Sequence, residues 1–266
     1  MLLDRLEELT SLPQELIIQI VGDVDADTGL EACSLVCRAW SLPAKAEFFR
    51  RVTLDTNVKC GRFHTLLLES PHIACLVRDL EVVTDHDPET ILDDEASLTA
   101  VLLLLKHLKS FTLRLGWRMI WNDLSTNLHD AVIHVLKLPS LTSLEMENWY
   151  FDLADVDLHN LFIHGTALKR LSLLAPSCPT DGEPSEDQFL MEVPNRPRLD
   201  ELIVGLEYGA FGIGEWLARS RCSLDLSGLR TLHVMHTAND DLISRILKVA
   251  GASLESFHLE VQESDG

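Results

Sequence analysis

Apolar and polar positions follow two rhythms along this chain. Up to about residue 50, apolar residues return every three or four positions, the period of an amphipathic helix. Leu16, Ile17, Ile20 and Val21 form one such stripe behind Ser11-Leu-Pro-Gln14, a capping box with proline in the first helical turn, where its missing amide hydrogen does no harm. Leu30, Cys33, Cys37 and Trp40 form a second stripe behind another capping box, Thr28-Gly-Leu-Glu31. A third start, Ser41-Leu-Pro43, leads into AKAEFFR, and at Arg51-Val-Thr-Leu54 the period drops to two, as in a strand.

Beyond that point the chain repeats itself. An apolar-x-x-apolar-x-apolar signature recurs as VRDLEV, LKSFTL, LTSLEM, LKRLSL, LDELIV, LRTLHV and LESFHL, starting at residues 77, 108, 141, 168, 199, 229 and 254. Helix-period stretches lie between the copies, among them LHDAVIHVLKL and NDDLISRILKVAG. Strand, loop, helix and return loop, repeated, predict an α/β solenoid whose units bury their apolar edges by stacking on one another. Parallel strands are expected on its concave side and helices on its convex side. The uneven spacing, with a polar insertion at residues 178–189 (CPTDGEPSEDQF), predicts an irregular, bent array. Its last copy has no evident polar cap, which predicts either a shortened array or one that continues past Gly266.

Charge narrows the partners. A formal net charge of −20 on 266 residues repels phosphate backbones and anionic lipid, so basic protein segments are expected rather than nucleic acid or membrane. The longest nearly unbroken apolar run, residues 98–105, is too short to span a bilayer, and the amino terminus does not read as a secretory signal. Six scattered cysteines do not make a dense disulfide framework, which points to a reducing cytoplasm or nucleus.

Candidate chemistry is sparse. Asp23, Asp25 and Asp27 occupy the first three positions of a calcium loop, but the glycine comes one position late and the closing position is Ser34. Cys33 and Cys37 lack a second ligand pair for zinc, so no metal is expected. Gly209, Gly212 and Gly214 match neither a phosphate-cradling loop nor a dinucleotide fingerprint and read as a turn ahead of a helix; no cofactor is expected. The histidine pairs His129/His134 and His159/His164 do not share a helical face, and His233/His236 straddles a strand end. No catalytic motif stands out, so the expectation is a binding protein, with a hydrolase or metalloenzyme on a repeat scaffold as the alternative.

Three segments taken together, LPQELIIQIV, CSLVCRAW and AEFFRRVTL, resemble the successive helical signatures of the F-box in fungal F-box proteins. The match covers residues 11–54, and residues 55–266 are similar to the degenerate leucine-rich repeats that often follow an F-box in that family. The implied fold is a short three-helix F-box followed by an irregular leucine-rich-repeat solenoid. The implied function is substrate recognition for a Skp–cullin–F-box type ubiquitin ligase, with the F-box docked on a Skp-type adaptor and, through it, on a cullin. The alternative is a scaffold acting outside a ligase. The resemblance implies that Leu12, Pro13, Leu16, Ile20, Val36, Cys37 and Trp40 form the adaptor-facing surface or the packing beneath it.

Alternation along the strand signatures puts their third, fifth and seventh positions on the open face. Read in this way, that face carries acids at Asp79, Glu81, Glu145, Glu147, Glu201 and Glu260 against Arg114 and Arg170. Glu81, Arg114, Glu145, Glu147, Arg170 and Glu201 are therefore the candidate substrate-binding residues, for a segment carrying lysine or arginine.

Overall fold

The computed structural model describes residues 12–24, 29–84, 95–151, 154–176, 196–205, 211–218, 222–235 and 240–260. Asp25, Asp27 and both proposed capping residues, Ser11 and Thr28, lie outside them, as do Gly209, His236 and the 178–189 insertion.

Three helices open the described chain: α1 (Gln14–Gly22), α2 (Gly29–Val36) and α3 (Arg38–Phe48). They enclose a small core of their own, formed by Ile17, Val21, Leu30 and Ala44, with Leu12, Cys33 and Trp40 packed against it. Two boundaries differ from the sequence reading. Pro13 is the N-cap of α1 rather than a residue of its first turn, and it gives no side-chain cap. The second apolar stripe is broken at Cys37, whose extended backbone (φ −164°, ψ 173°) ends α2 and starts α3.

Beyond them strands and helices alternate among the described residues, except that no described helix separates β5 from β6: β1 (Arg51–Leu54), α4 (Asn57–Glu69), β2 (Asp79–Thr84), α5 (Glu95–Leu104), β3 (Ser110–Ile120), α6 (Thr126–Leu136), β4 (Ser143–Tyr150), α7 (Ala154–Phe162), β5 (Arg170–Leu174), β6 (Glu201–Gly205), α8 (Phe211–Ala218), β7 (Thr231–Met235), α9 (Asp240–Ala250) and β8 (Ser256–Glu260). The strands form one 8-stranded sheet in chain order. Every neighbouring pair is parallel. The described register shifts once, between Arg114 and Met119 of β3. At the shift, Asn148 of β4 takes a left-handed backbone (φ 64°) and its side-chain amide donates to the Leu115 carbonyl.

This architecture corrects the expected fold class. Instead of a three-helix F-box followed by an irregular leucine-rich-repeat solenoid, the chain is α/β around a single continuous all-parallel sheet, which already includes the strand at 51–54. The reason lies in what a period of roughly 30 residues encodes: strand, helix and parallel strand need about that length in any parallel α/β fold. The repeat spacing therefore records the unit, not the class.

The burial pattern follows the alternation. Leu80 and Val82, Phe111 and Leu113, Leu144 and Met146, Leu171 and Leu173, Leu202 and Val204, and Leu232 and Val234 are buried in one core with Leu102, Val132, Leu161, Leu217 and Ile246 of the helices. A strand covered by helices on one face must be apolar at every second residue, and these are the fourth and sixth positions of the sequence signature. The alternate residues, which include the candidate substrate-binding residues, are partly exposed on the opposite face, apart from the buried Ser172 and Gly205.

Candidate functional site

Two surfaces hold the candidate residues. On the helical unit the structure separates contact from packing. The stripe of α1 splits: Ile17 and Val21 turn inward, while Leu16 and Ile20 are 45% and 42% exposed. Val36, at the end of α2, is 49% exposed. Pro13 is exposed at the N-cap of α1, and Cys37 is half-buried at the break between α2 and α3. Leu12 and Trp40 pack against the small core, although the Trp40 Nε1 hydrogen is buried without an acceptor among the described residues. Ile18, Leu35 and Leu42 are also exposed, and sequence reasoning missed them. Ile18 interrupts the apolar spacing of α1, which is the signal that could have singled it out.

On the open face of the sheet, parallel register brings residues far apart in sequence into rows. Glu81, Thr112, Glu145, Ser172, Ile203, His233 and His258 follow one another across seven strands. The next outward row contains Val83, Arg114, Glu147 and Leu174, then Gly205, Met235 and Glu260. Arg114 sits among three carboxylates, with Nη1 3.1 Å from Glu81, Nη2 2.9 Å from Glu145 and Nε 2.9 Å from Glu147. The hydrogen bond to Glu145, opposed by partial burial and aided by the charges of all three acids, raises the guanidinium pKa further. Thr53 donates to the other Glu81 oxygen at 3.1 Å, extending the network to β1. Arg170 and Glu201 pair separately at 3.4 Å. All six candidate substrate residues thus share one face, but its acids are partly neutralised within the protein, which alternation alone did not reveal. His233 reaches Glu260 at 3.1 Å and lies edge-on to His258, another group joined only by register.

Polar chemistry beneath the helices is of a different kind. Ser223 Oγ and His159 Nδ1 are 3.1 Å apart, but Ser223 is fully enclosed (0% exposed), so no substrate carbonyl could reach it. Burial, and then the positive charge of Arg196, lower the His159 pKa. His129 lies tilted against Trp121, with ring centres 4.6 Å apart. Gly212 and Gly214 lie inside α8 rather than in a turn ahead of it. Among the described residues no three His, Cys, Asp or Glu side chains are placed to hold a metal ion, and none of the described cysteines forms a disulfide. No helix among them is long and apolar enough to cross a membrane.

No protein-family pattern matches the chain, and no curated protein matches it.

Proposed function

We propose that this protein is a substrate-recognition subunit of a Skp–cullin–F-box type ubiquitin ligase, binding a Skp-type adaptor through α1–α3 and a protein substrate through the open face of the sheet. The observation that carries this reading is the concentration of exposed large apolar side chains on the helical unit. Leu16, Ile18, Ile20, Leu35, Val36 and Leu42 lie outside its small core, and an uncovered apolar surface of this kind marks a protein interface. The resemblance of residues 11–54 to the F-box supports the choice of partner. On this reading the subunit carries no chemistry of its own, and transfer of ubiquitin belongs to its partners. The acidic surface favours basic protein segments over nucleic acid or lipid, and the setting is the cytoplasm or nucleus.

Co-purification of adaptor and cullin with the full chain from cell extract tests the proposal. Leu16→Asp and Val36→Asp alter exposed positions and should each weaken adaptor capture by about 2 kcal/mol or more while the chain still folds. Undiminished capture by both variants would rule out the helical surface as the docking site. Capture of adaptor without cullin would place the protein outside a ligase.

A further inference from the structure

The open sheet face carries an acidic cluster on β2–β4 and, from β5 to β7, apolar side chains set among polar ones such as the Arg170–Glu201 pair. On the β2–β4 side one guanidinium, Arg114, is shared by Glu81, Glu145 and Glu147, leaving an excess of negative charge. Glu145 meets Arg114 Nη2 at 2.9 Å and Glu147 meets its Nε at 2.9 Å, yet both carboxylate side chains stay partly exposed, at 24% and 28%. On the β5–β7 side the alternation breaks. An uncovered face should carry polar residues, yet Leu174, Ile203 and Met235 occupy outward positions and remain partly exposed. Leu174 stands directly beside Glu147 in the register, and only the buried Ser172 separates Glu145 from Ile203, so the acidic cluster adjoins the apolar residues.

We infer that this face binds an extended protein segment with two anchors: a lysine or arginine seated on Glu145 and Glu147, and an aliphatic residue laid over Leu174, Ile203 and Met235. The inference rests on the reading of the sheet face as the substrate surface and adds the chemistry and spacing of the substrate. Strands in a sheet lie about 4.8 Å apart, so Ile203 is roughly 10 Å, and Met235 roughly 14 Å, across the sheet from β4. An extended chain advances about 3.3 Å per residue, which sets the two anchors roughly three to four residues apart. The cation joins the Arg114 network at the exposed side of these two carboxylates, where three acids share one guanidinium, and need not displace Arg114. Long-range attraction from the acids speeds capture, and the apolar contact slows release.

The test uses the full chain and a set of capped, fluorescein-labelled peptides of Gly, Ser and Thr, each carrying one lysine and one leucine at increasing separation. Affinity should peak at a separation of about three to four residues and fall as salt is raised. Glu145→Gln with Glu147→Gln should weaken the best probe about tenfold, while a probe with norleucine in place of lysine should bind both proteins alike. Ile203→Ser with Met235→Ser should weaken the same probe and leave a leucine-free lysine probe unaffected. Affinity independent of separation, or a Gln variant that binds the lysine probe as the unmodified chain does, overturns the two-anchor assignment. Photo-cross-linking of the best probe distinguishes the two levels of failure. Cross-links on β4–β7 without a preferred separation sink the two anchors alone, whereas cross-links elsewhere, or no binding by any probe, sink the sheet face as the substrate surface.

Discussion

Gly205 ends β6 against the backbone of its neighbour. A Cβ there would lie 3.1 Å from the Ala175 nitrogen and 3.5 Å from Leu174 Cα, both backbone atoms that cannot rotate away. Ala175 already has a left-handed backbone (φ 46°), a conformation that costs a residue with a side chain about 1–2 kcal/mol, so it has little freedom to retreat. Gly205→Ala should therefore lower stability by about 1–3 kcal/mol in chemical denaturation, and an unchanged midpoint would show that the backbone yields easily. His159 supplies a pH effect at the same scale. Burial first, and Arg196 second, depress its pKa in the folded chain below the unfolded value of about 6.5. Below that value the unfolded chain binds the proton more readily, so the contribution of His159 is present above about pH 6.5 and declines as pH falls toward the folded pKa. His159→Gln should make stability fall less steeply between about pH 7.5 and pH 5.5. Asp225 acts lower on the scale. Its hydrogen bonds from Ser227 hold its pKa down, and its contribution is lost only as acid protonates it in the folded chain.

Helix α3 shows how an element can keep a residue that opposes it. Pro43 lies in its second turn, where an amide would donate to the Ala39 carbonyl four residues back, and proline has no amide to give. The freed carbonyl lies 3.5 Å from the Gln14 side-chain amide of α1, a long and weak replacement that ties the two helices together. Pro43→Ala would restore the intrahelical bond and relieve the ring contact, and it should stabilise the helical unit by about 1–3 kcal/mol, read from its thermal or denaturant transition. No gain would mean that the turn is already bent to suit proline. The sequence placed a helix start at Ser41 because Ser-x-Pro suits a first turn. The extended backbone at Cys37 moved the start to Arg38, which put the proline inside.

At the scale of the molecule there are two cores of very different size. Ile17, Val21, Leu30 and Ala44 form one, and the buried residues of the sheet and its helices form the other. A small core stabilises weakly, so α1–α3 should open locally at a lower free energy than β3–β7. Native-state hydrogen exchange should show faster amide exchange across 14–48 than in the central strands. Ile17→Asp, which buries a charge in the small core, should raise exchange in the helical unit and leave β3–β7 protected. Equal loss of protection in both regions would show a single cooperative unit instead.

The sequence by itself determined where the strands lie and which of their residues face inward. Leu171 and Leu173, or Leu232 and Val234, must be apolar wherever one face of a strand is covered, whatever the global architecture. It also marked the helical character of the amino-terminal segment and the eight charged residues of the open face. The class of the fold was not legible, because a strand and helix in each roughly 30-residue unit is common to parallel α/β folds, and continuity of the sheet is a property of pairing between units. The two roles within the adaptor-facing set were equally closed to sequence. Leu16 and Ile17 are adjacent and both apolar, and only the packing of three helices makes one exposed and the other buried. The Arg114 network needed register, since Glu81, Glu145 and Glu147 meet one guanidinium only when β2, β3 and β4 align. Side-chain type and local period act along the chain, whereas charge pairing and exposure are set by neighbours about 30 residues away, which only the tertiary structure brings together.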